Sequence, residues 1–241
     1  MDPRFRVVTI SATPSPQRTC WAAMHTDYAE GFVSDEADRW PDEEAAGHAL
    51  VKHLLAGERG HYGPLEHAQI VLNVGWFPHS VMQQARTHRV GVSFDVQSGR
   101  YTGQRICRVA ESELEVDEVF YLRPVGSYRD RQGKRYDYTA EDRSFDELEC
   151  LVAAERYRDK LAMGFAEEHA RGTIPFDIRQ HFVVSFSLRA LMHFLDLRAK
   201  LDAQEEIRAL CDLIMPHFQA WTPQIADWYA KTRLHKARLA P

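Results

Sequence analysis

Residues 68–76 read Ala-Gln-Ile-Val-Leu-Asn-Val-Gly-Trp. Apolar side chains at alternate positions predict a β-strand with at least one well-buried face. Pro78 follows, and because proline fits the first turn of a helix, we predict a helix from there to about Arg89. The next segment, 90–101, contains two glycines and is typical of a loop or an irregular strand.

On both sides of this strand, most of the chain has a helical pattern. Pro41 and the acidic residues after it predict the start of a helix that ends at Gly57 or Gly60. Apolar residues at helical spacing predict four more helices, at 143–170, 187–200, 203–221 and 224–236. The apolar side of the first of these carries Phe145, Leu148, Leu151, Ala154, Leu161 and Phe165. We also predict a short strand at 119–122 and a polar surface loop at 126–139.

The order of these elements shows no regular alternation of strand, helix and strand. We therefore predict an α+β fold, in which several long helices pack on a small, largely antiparallel sheet. No linker divides the sequence convincingly, so residues 1–241 are predicted to form a single catalytic domain. The elements of residues 1–40 cannot be placed from the sequence.

Composition and charge limit the possible partners. With 241 residues, 44% of them hydrophobic, the chain can bury a sizeable core. A net charge of −5 argues against a nucleic-acid partner, although the basic and aromatic residues of 126–139 leave that option open there. No apolar run is long enough to span a membrane, and the start, Met-Asp-Pro-Arg, lacks the apolar stretch of a secretory signal. We therefore predict a cytoplasmic protein with no membrane partner.

The first group of residues that could carry chemistry lies just before the predicted strand. Residues 61–67 read His-Tyr-Gly-Pro-Leu-Glu-His. Two histidines and a glutamate could bind a metal, but their spacing matches no helical zinc motif, and the Gly-Pro pair breaks any helix. A locally satisfied turn is the simpler interpretation. A metal hydrolase that uses His61, Glu66 and His67 is a weaker alternative.

The second group follows the predicted helix. Residues 83–89 read Gln-Gln-Ala-Arg-Thr-His-Arg, and residues 98–101 read Ser-Gly-Arg-Tyr. Guanidinium groups grip phosphates through paired donors, and a glycine lets backbone N–H groups approach an anion. The pattern therefore fits a phosphorylated ligand about as well as it fits a solvated helix end with surface ion pairs.

The third group lies on a predicted helix near the C-terminus. Residues 189–198 read Arg-Ala-Leu-Met-His-Phe-Leu-Asp-Leu-Arg. Arg189 and His193 are four residues apart and share a face, whereas Arg198 lies well round the helix from His193. We expect that one small ligand is not gripped by all three residues within a single helix. Ordinary surface charge, with His193 and Asp196 as a local pair, is the alternative.

Together, these segments resemble the flavin-dependent thymidylate synthases. Residues 61–67 resemble the family's His-x-x-Pro-hydrophobic-Glu-His segment, and 189–198 resemble its Arg-x-Leu-hydrophobic-Asn/His-Phe-Leu-x-Leu-Arg helix. Residues 87–89 and 98–101 resemble its Arg-His-Arg signature, which is followed after seven residues by Ser and then Arg-Tyr. Two departures stand out: Thr87, or a shifted Arg86, replaces the first arginine, and the spacer has eight residues. No Rossmann glycine motif or phosphate loop occurs in the chain.

The resemblance implies an α+β fold of the thymidylate synthase complementing protein type and a methyltransferase activity. Members convert dUMP to dTMP with the methylene carbon of 5,10-methylenetetrahydrofolate. The hydride comes from FAD that NADPH has reduced. Members are homotetramers whose active sites lie where subunits meet, and their substrates are small molecules.

The resemblance also assigns residues, and it implies no metal site. The FAD contacts are His61, Gly63, Thr87, His88, Arg89, Ser187, Arg189 and His193. The dUMP contacts are Gln84 (or Gln83), Arg86, Ser98, Gly99, Arg100, Arg179 and Arg198. We expect Arg198 to be the catalytic group, because no cysteine lies in a matched segment and a guanidinium can stabilise charge on uracil. The alternative is a relative that binds flavin or nucleotide without turnover.

Overall fold

The computed structural model describes residues 2–57, 60–130 and 132–236. Its strands are β1 (Arg6–Ala12), β2 (Gln69–Pro78), β3 (Val92–Val96), β4 (Gly126–Arg129), β5 (Arg135–Tyr138) and β6 (Arg179–Ser187). The longer helices are α1 (Pro16–His25), α2 (Glu43–Leu50), α3 (His79–Ala85), α4 (Gln104–Ala110), α6 (Ala140–Ala162), α8 (Leu188–Arg198), α9 (Glu205–Trp221) and α10 (Pro223–Thr232). Two short helices are α5 (Val116–Val119) and α7 (Glu167–Ala170).

The strand predicted from 68–76 is confirmed as β2, which lies inside a four-stranded sheet of order β1-β2-β6-β3. Helices and this small sheet together confirm the predicted α+β fold. Ile70, Leu72 and Val74 are buried in alternation, because they follow the period of an extended chain. At Trp76, whose φ is 71°, the alternation shifts, so that Phe77 is buried and Trp76 is only half-buried. The strand predicted at 119–122 is wrong: only a single antiparallel bridge joins Phe120 to Ile178.

The three C-terminal helices are confirmed as α8, α9 and α10, with ends within a few residues of those predicted. The predicted helix 143–170 is corrected. It begins earlier, where Thr139 accepts a hydrogen bond from the backbone of Asp142, and it ends at Ala162. Gly164 then has a φ of 86°, which a right-handed helix cannot continue. The helix predicted from Pro78 to Arg89 ends earlier, at Ala85.

The polar segment 126–139, predicted as a loop, forms an antiparallel hairpin of β4 and β5. Tyr128 faces Tyr136 across the hairpin, and their rings stack with centroids 5.9 Å apart. Cross-strand aromatic pairs of this kind stabilise a hairpin even where its surface is polar. Arg131, part of the predicted loop, lies outside the described residues.

Contacts group the chain into two compact units. Unit 1 contains Met1–Arg6, Val74–Gln84 and Asp95–Phe182, and unit 2 contains Val7–Asn73, Ala85–Phe94 and Val183–Pro241. Both units are discontinuous in sequence, and all four strands of the larger sheet, β1, β2, β3 and β6, contribute residues to both. A single catalytic domain over 1–241 stays a prediction.

Each unit has its own buried side chains. In unit 1, residues of α4, α5 and α6 form one apolar cluster that includes Ile106, Val109, Val119, Phe120, Ala154 and Tyr157. In unit 2, the buried faces of α8, α9 and α10 include Leu191, Phe194, Ile207, Ile214, Phe218 and Ile225. The core of unit 2 therefore fixes the helix that carries the third sequence group.

Candidate active site

A cleft of about 230 Å³ opens in unit 2 at the beginning of α8. Ser187, Arg189 and His193, all assigned by the resemblance, come together there. The full lining is Glu66, Val90, Ser187, Arg189, Ala190 and His193. Sequence reasoning missed Glu66 and Val90 as lining residues, although Glu66 is part of the first motif.

Ser187 fixes the start of α8. Its buried hydroxyl accepts a hydrogen bond from the backbone N–H of Ala190 at 3.2 Å, as an N-cap residue does. Its own backbone N–H donates to the carbonyl of Gly91 at 2.8 Å. The start of α8 is therefore tied to the chain at Gly91, next to Val90 of the cleft lining.

Arg189 and Glu66 form an ion pair across the cleft lining, with 2.7 Å between Nη1 of the arginine and Oε1 of the glutamate. Glu66 ends the short 3₁₀ turn Gly63–Glu66 that precedes β2. The first and third sequence groups are therefore joined by a charge-assisted hydrogen bond. Both side chains remain partly exposed, so the pair orients Arg189 more than it stabilises the fold.

A second set of contacts joins the end of α8 to the segment after α3. The Nε–H of Arg198 donates to Nε2 of His88 at 3.0 Å, and an Nη2–H donates to the hydroxyl of Thr87 at 2.6 Å. The rings of His88 and His193 lie 5.2 Å apart. His88 therefore lies next to both His193 and Arg198, although these two residues lie on different sides of α8. That one small ligand is not gripped by Arg189, His193 and Arg198 together stays a prediction.

His88 is held as a neutral ring. Burial first, then the positive charge of Arg198 and the neighbouring His193, lower the pKa of His88 to about 4. Burial also lowers the pKa of Arg198, although a guanidinium stays charged at neutral pH in proteins. The site therefore contains a permanent cation held by an uncharged histidine.

From the sequence, His193 and Asp196 could form a local pair, but the carboxylate of Asp196 has other hydrogen-bond partners. The buried carboxylate of Asp196 accepts from the hydroxyl of Tyr229 at 2.9 Å and from Nη2 of Arg233 at 2.7 Å. Burial raises the pKa of Asp196, and these two partners oppose that rise. This network fastens α8 to the C-terminal helix of unit 2, and it leaves His193 on the cleft side.

Five residues assigned to FAD lie outside the cleft lining. Thr87 and His88 contact Arg198, and the other three are His61, Gly63 and Arg89. Nε2 of His61 is 2.7 Å from the carboxylate of Asp27, Gly63 begins the 3₁₀ turn, and the side chain of Arg89 is exposed. The metal alternative gains no support. Within residues 2–57, 60–130 and 132–236, no three His, Cys, Asp or Glu side chains are grouped to hold a metal ion.

Arg179, assigned to dUMP, is fully buried in unit 1, with 0% of its surface exposed. Its guanidinium donates to the carboxylate of Asp2 at 2.5 Å, to the carbonyl of Asp117 at 2.7 Å and to the carbonyl of Trp76 at 2.8 Å. Protein groups therefore accept hydrogen bonds from the guanidinium that the resemblance assigned to dUMP.

The other assigned dUMP residues differ in exposure. Arg100 is exposed and lies over the ring of Tyr101 at 5.7 Å, while the carbonyl of Ser98 accepts from the backbone N–H groups of Tyr101 and Thr102. These hydrogen bonds form the turn that contains Gly99. Gln84 is half-buried and belongs to unit 1, whereas Arg86 is exposed and belongs to unit 2.

Two arginines of unit 1 were missed by the sequence reasoning. Arg105 donates to the carbonyl of Arg179 at 2.6 Å, and burial lowers the pKa of Arg105 to about 10. An Nη of Arg171 lies 3.6 Å from where a Cβ on Gly99 would be. Neither arginine lies in a matched motif, so only the tertiary structure reveals that they flank the assigned residues.

A substitution at Gly91 tests how the start of α8 is held beside the cleft. Its φ is 66°, and a Cβ there would lie 2.5 Å from the hydroxyl of Ser187. Gly91→Ala is therefore expected to lower the free energy of unfolding by about 1–3 kcal/mol through backbone strain and to disturb the helix cap. Thermal and urea unfolding would measure this. Gly172→Ala, where nothing lies within 4 Å of the new Cβ, is the control, and an equal effect of both changes would contradict the prediction.

Comparison with solved structures first defines the class of fold. The chain resembles the UMP/dUMP methylase PolB from Streptomyces cacaoi with a TM-score of 0.73, covering 98% of this chain and 97% of that one. The sequences are 23% identical, so this likeness shows the fold alone. The arrangement of helices around a small sheet is thus that of a known nucleotide methylase.

Sequence comparison then gives the family. The pattern of the family described as thymidylate synthase complementing protein matches residues 8–224. The flavin-dependent thymidylate synthase of Halobacterium salinarum is 32% identical over 98% of this chain and 100% of its own length. That of Haloarcula marismortui is 31% identical over 98% of this chain and 99% of its own. The chain belongs to the thymidylate synthase complementing protein family, which confirms the resemblance found in the sequence.

Proposed function

We propose that the chain is a flavin-dependent thymidylate synthase that methylates dUMP to dTMP, with 5,10-methylenetetrahydrofolate as carbon donor and NADPH as the source of electrons. One observation carries the proposal. Arg198 donates hydrogen bonds to Thr87 and His88, from which it is separated by 111 and 110 residues along the chain. All three residues belong to the segments on which the resemblance rests. Relatives that match this chain over nearly their whole length are named for the same activity.

The residues around the cleft fit part of a flavin dinucleotide. Arg189 offers a cation, and His193 and Ser187 offer groups that can hydrogen-bond. Nδ1 of His88 is buried and has no hydrogen-bond partner in the described part of the chain, so it can serve a ligand atom. At about 230 Å³ the cleft is below the roughly 300–1,000 Å³ usual for a whole ligand of this class. We therefore propose that one chain encloses only part of the FAD.

Arg198 is proposed to activate the uracil. The reaction needs carbon 5 to attack the methylene carbon, and this requires negative charge to develop on a uracil oxygen and ring nitrogen. A guanidinium already oriented by Thr87 and His88 stabilises that charge without reorganising. Carbon 5 forms the new bond to the methylene group, its proton is lost, and tetrahydrofolate leaves. Reduced flavin, when bound, supplies the hydride that completes the methyl group.

The other assigned dUMP residues are part of the proposal. They are Gln84, Arg86, Ser98, Gly99, Arg100 and Arg179. Ser98 is given a positioning role. Because the buried guanidinium of Arg179 donates to Asp2, Asp117 and Trp76, we propose that it also orders the chain around these residues.

The cysteines support a mechanism without a thiolate nucleophile. Cys20, Cys107, Cys150 and Cys211 are all buried. Burial raises the pKa of Cys20 and that of Cys150 to about 12, and it also raises the pKa of Cys107 and Cys211. At neutral pH all four are therefore uncharged thiols, which are poor nucleophiles.

Single Cys→Ala changes at these four positions are therefore expected to leave turnover of dUMP largely intact in folded, FAD-loaded protein. The native chain should also resist alkylation by iodoacetamide, because no thiolate is accessible. Mass spectrometry and steady-state kinetics would measure both properties. Loss of turnover in one folded, FAD-loaded variant would show that the proposed mechanism is wrong.

We propose that the chain assembles as a homotetramer with active sites at subunit interfaces. Phe145 and Leu148 were expected to lie on the buried side of α6, but they are 61% and 56% exposed, and Val152 beside them is 54% exposed. The buried side of the helix contains Cys150, Tyr157 and, as predicted, Ala154. Spaced three and four residues apart, the exposed side chains form one apolar face that a second copy of the chain can cover.

Leu148→Glu is expected to dissociate the oligomer, because a carboxylate would be buried in an apolar contact without a partner. Light scattering after size exclusion would measure the mass. Gln132→Glu introduces the same charge on the exposed hairpin and serves as the control. A tetramer unchanged by Leu148→Glu, or a fully active monomer of the native chain, would contradict this assignment.

A cytoplasmic location stays part of the proposal. Among the described helices, none combines the length and apolar character needed to cross a bilayer. The proposed partners are small molecules, namely dUMP, the folate and NADPH, and neither a membrane nor a nucleic acid is proposed.

The function is tested with purified protein. We expect flavin absorption bands, or uptake of added FAD, and formation of dTMP from dUMP, methylenetetrahydrofolate and NADPH, followed by mass spectrometry. Reactions without the folate serve as the control. Protein that binds FAD but forms no dTMP would favour the non-catalytic relative, and protein that cannot bind FAD would overturn the proposal.

A further inference from the structure

His88 has a buried contact that the flavin assignment does not explain. It is only 5% exposed, and its Nε2 accepts the Nε–H of Arg198. The preceding residue, Thr87, accepts from Nη2 of the same guanidinium. Two consecutive residues therefore hold one edge of Arg198, because Nε–H and one Nη2–H lie in the guanidinium plane and point outward along the same edge.

The direction of the hydrogen bond fixes the protonation of His88. An imidazolium donates from both nitrogens, so it cannot accept from Arg198, and only the neutral ring with its hydrogen on Nδ1 can do so. The surroundings favour the same neutral state, because burial, Arg198 and His193 all lower the pKa of His88. Phe194 and His193 lie 5.0 and 5.2 Å from the ring, which restricts its rotation.

We propose that His88 is a positioning residue for Arg198, whose guanidinium it holds in the orientation needed to stabilise charge on the uracil. This inference rests on the proposed function. It adds to the flavin contact implied by the resemblance and does not compete with it. The Nδ1 hydrogen has no acceptor among the described residues, so a ligand can accept it while Nε2 stays bonded to Arg198.

The kinetic test compares two substitutions. His88→Phe keeps an aromatic ring but has no acceptor, whereas His88→Gln keeps a polar acceptor that can reach the place of Nε2. In protein saturated with FAD and dUMP, we expect His88→Phe to lower kcat about ten- to a hundredfold, as losses of orienting partners commonly do. His88→Gln should recover much of that loss, and His88→Phe should add little in an Arg198→Ala background.

Two kinetic results would overturn the inference. One is a near-normal kcat of His88→Phe once FAD is saturating, which would make His88 a flavin contact only. The other is an undiminished effect of His88→Phe in the Arg198→Ala background, which would show that the two residues act independently. FAD occupancy and thermal unfolding are measured for every variant, so that loss of fold is not mistaken for loss of orientation.

A readout that does not need turnover uses the wild-type chain. Nitrogen-15 spectra of labelled histidines in flavin-free protein should show His88 with its hydrogen on Nδ1 and an unprotonated, hydrogen-bonded Nε2 at neutral pH. The signal is assigned by its absence in His88→Gln, and it should shift in Arg198→Ala. The opposite tautomer, or no shift in Arg198→Ala, would overturn the inference. If the expected tautomer is present but no dTMP forms, the positioning contact stands and the proposed function fails.

Discussion

Replacing Arg198 with alanine is expected to lower turnover at saturating dUMP by roughly 10²–10³, equivalent to about 2.7–4 kcal/mol of lost transition-state stabilisation. The charge on the uracil develops during the reaction, so a guanidinium held by Thr87 and His88 contributes most in the transition state. The effect should therefore appear in kcat rather than in KM alone.

Steady-state kinetics, with FAD content checked by absorbance, would measure this. Reduction of the flavin by NADPH should change much less than dTMP formation. Arg198→Lys should recover only part of the loss, because an ammonium cannot donate along two parallel directions as a guanidinium does. Arg86→Ala, at an exposed position assigned to holding the nucleotide, should mainly raise the KM for dUMP. Near-normal kcat in Arg198→Ala would remove Arg198 from the chemistry.

A second large effect is expected in unit 1, where Asp2→Ala should lower the free energy of unfolding by about 3–5 kcal/mol. The carboxylate of Asp2 and the guanidinium of Arg179 are 6% and 1% exposed and lie 2.5 Å apart. Without the carboxylate, the arginine remains buried with two carbonyl acceptors but no compensating charge. A buried charge left in this way costs far more than the loss of a surface contact.

Urea unfolding at one protein concentration would measure the change, because assembly also affects apparent stability. Arg4→Ala is the matched control. Arg4 pairs with Asp117 at 3.0 Å, but its side chain is 37% exposed, so its loss should cost no more than about 1 kcal/mol. Equal effects of the two substitutions would show that the buried pair with Arg179 is not a major source of stability.

The sequence predicts elements well where a periodic pattern is long. Helices α8 to α10 and the first half of strand β2 follow apolar periods that the sequence alone shows. The shift of burial in β2 at Trp76 depends on a positive φ that the apolar period does not signal. The hairpin β4–β5 was missed because its stability comes from Tyr128 against Tyr136 across the turn rather than from an apolar period.

The buried side of α6 was predicted only in part. Leu151, Ala154 and Leu161 belong to or pack on the apolar cluster of unit 1. Phe145 and Leu148, however, lie on a second apolar face that is exposed. The sequence does not say which of the two faces the protein covers.

In the candidate site too, local motifs predict some features, and others depend on tertiary packing. Local motifs identify Thr87, His88, Arg189, His193 and Arg198, because each segment matches the family over several residues. They do not predict that His88 accepts from Arg198, since the partners are separated by 110 residues and meet only through tertiary packing. The burial of Arg179 could not be predicted from the sequence for the same reason, because its carboxylate partner Asp2 is 177 residues away along the chain.

The threonine at position 87 has a consequence for how this site can change in evolution. The hydroxyl of Thr87 accepts a hydrogen bond from Arg198, whereas an arginine at that position would have only donors and a second positive charge. Positions 87 and 198 are therefore epistatic: Thr87→Arg is expected to be harmful while Arg198 is oriented as it is here. A lineage could restore the family's Arg-His-Arg signature only after another acceptor had taken over the role of Thr87.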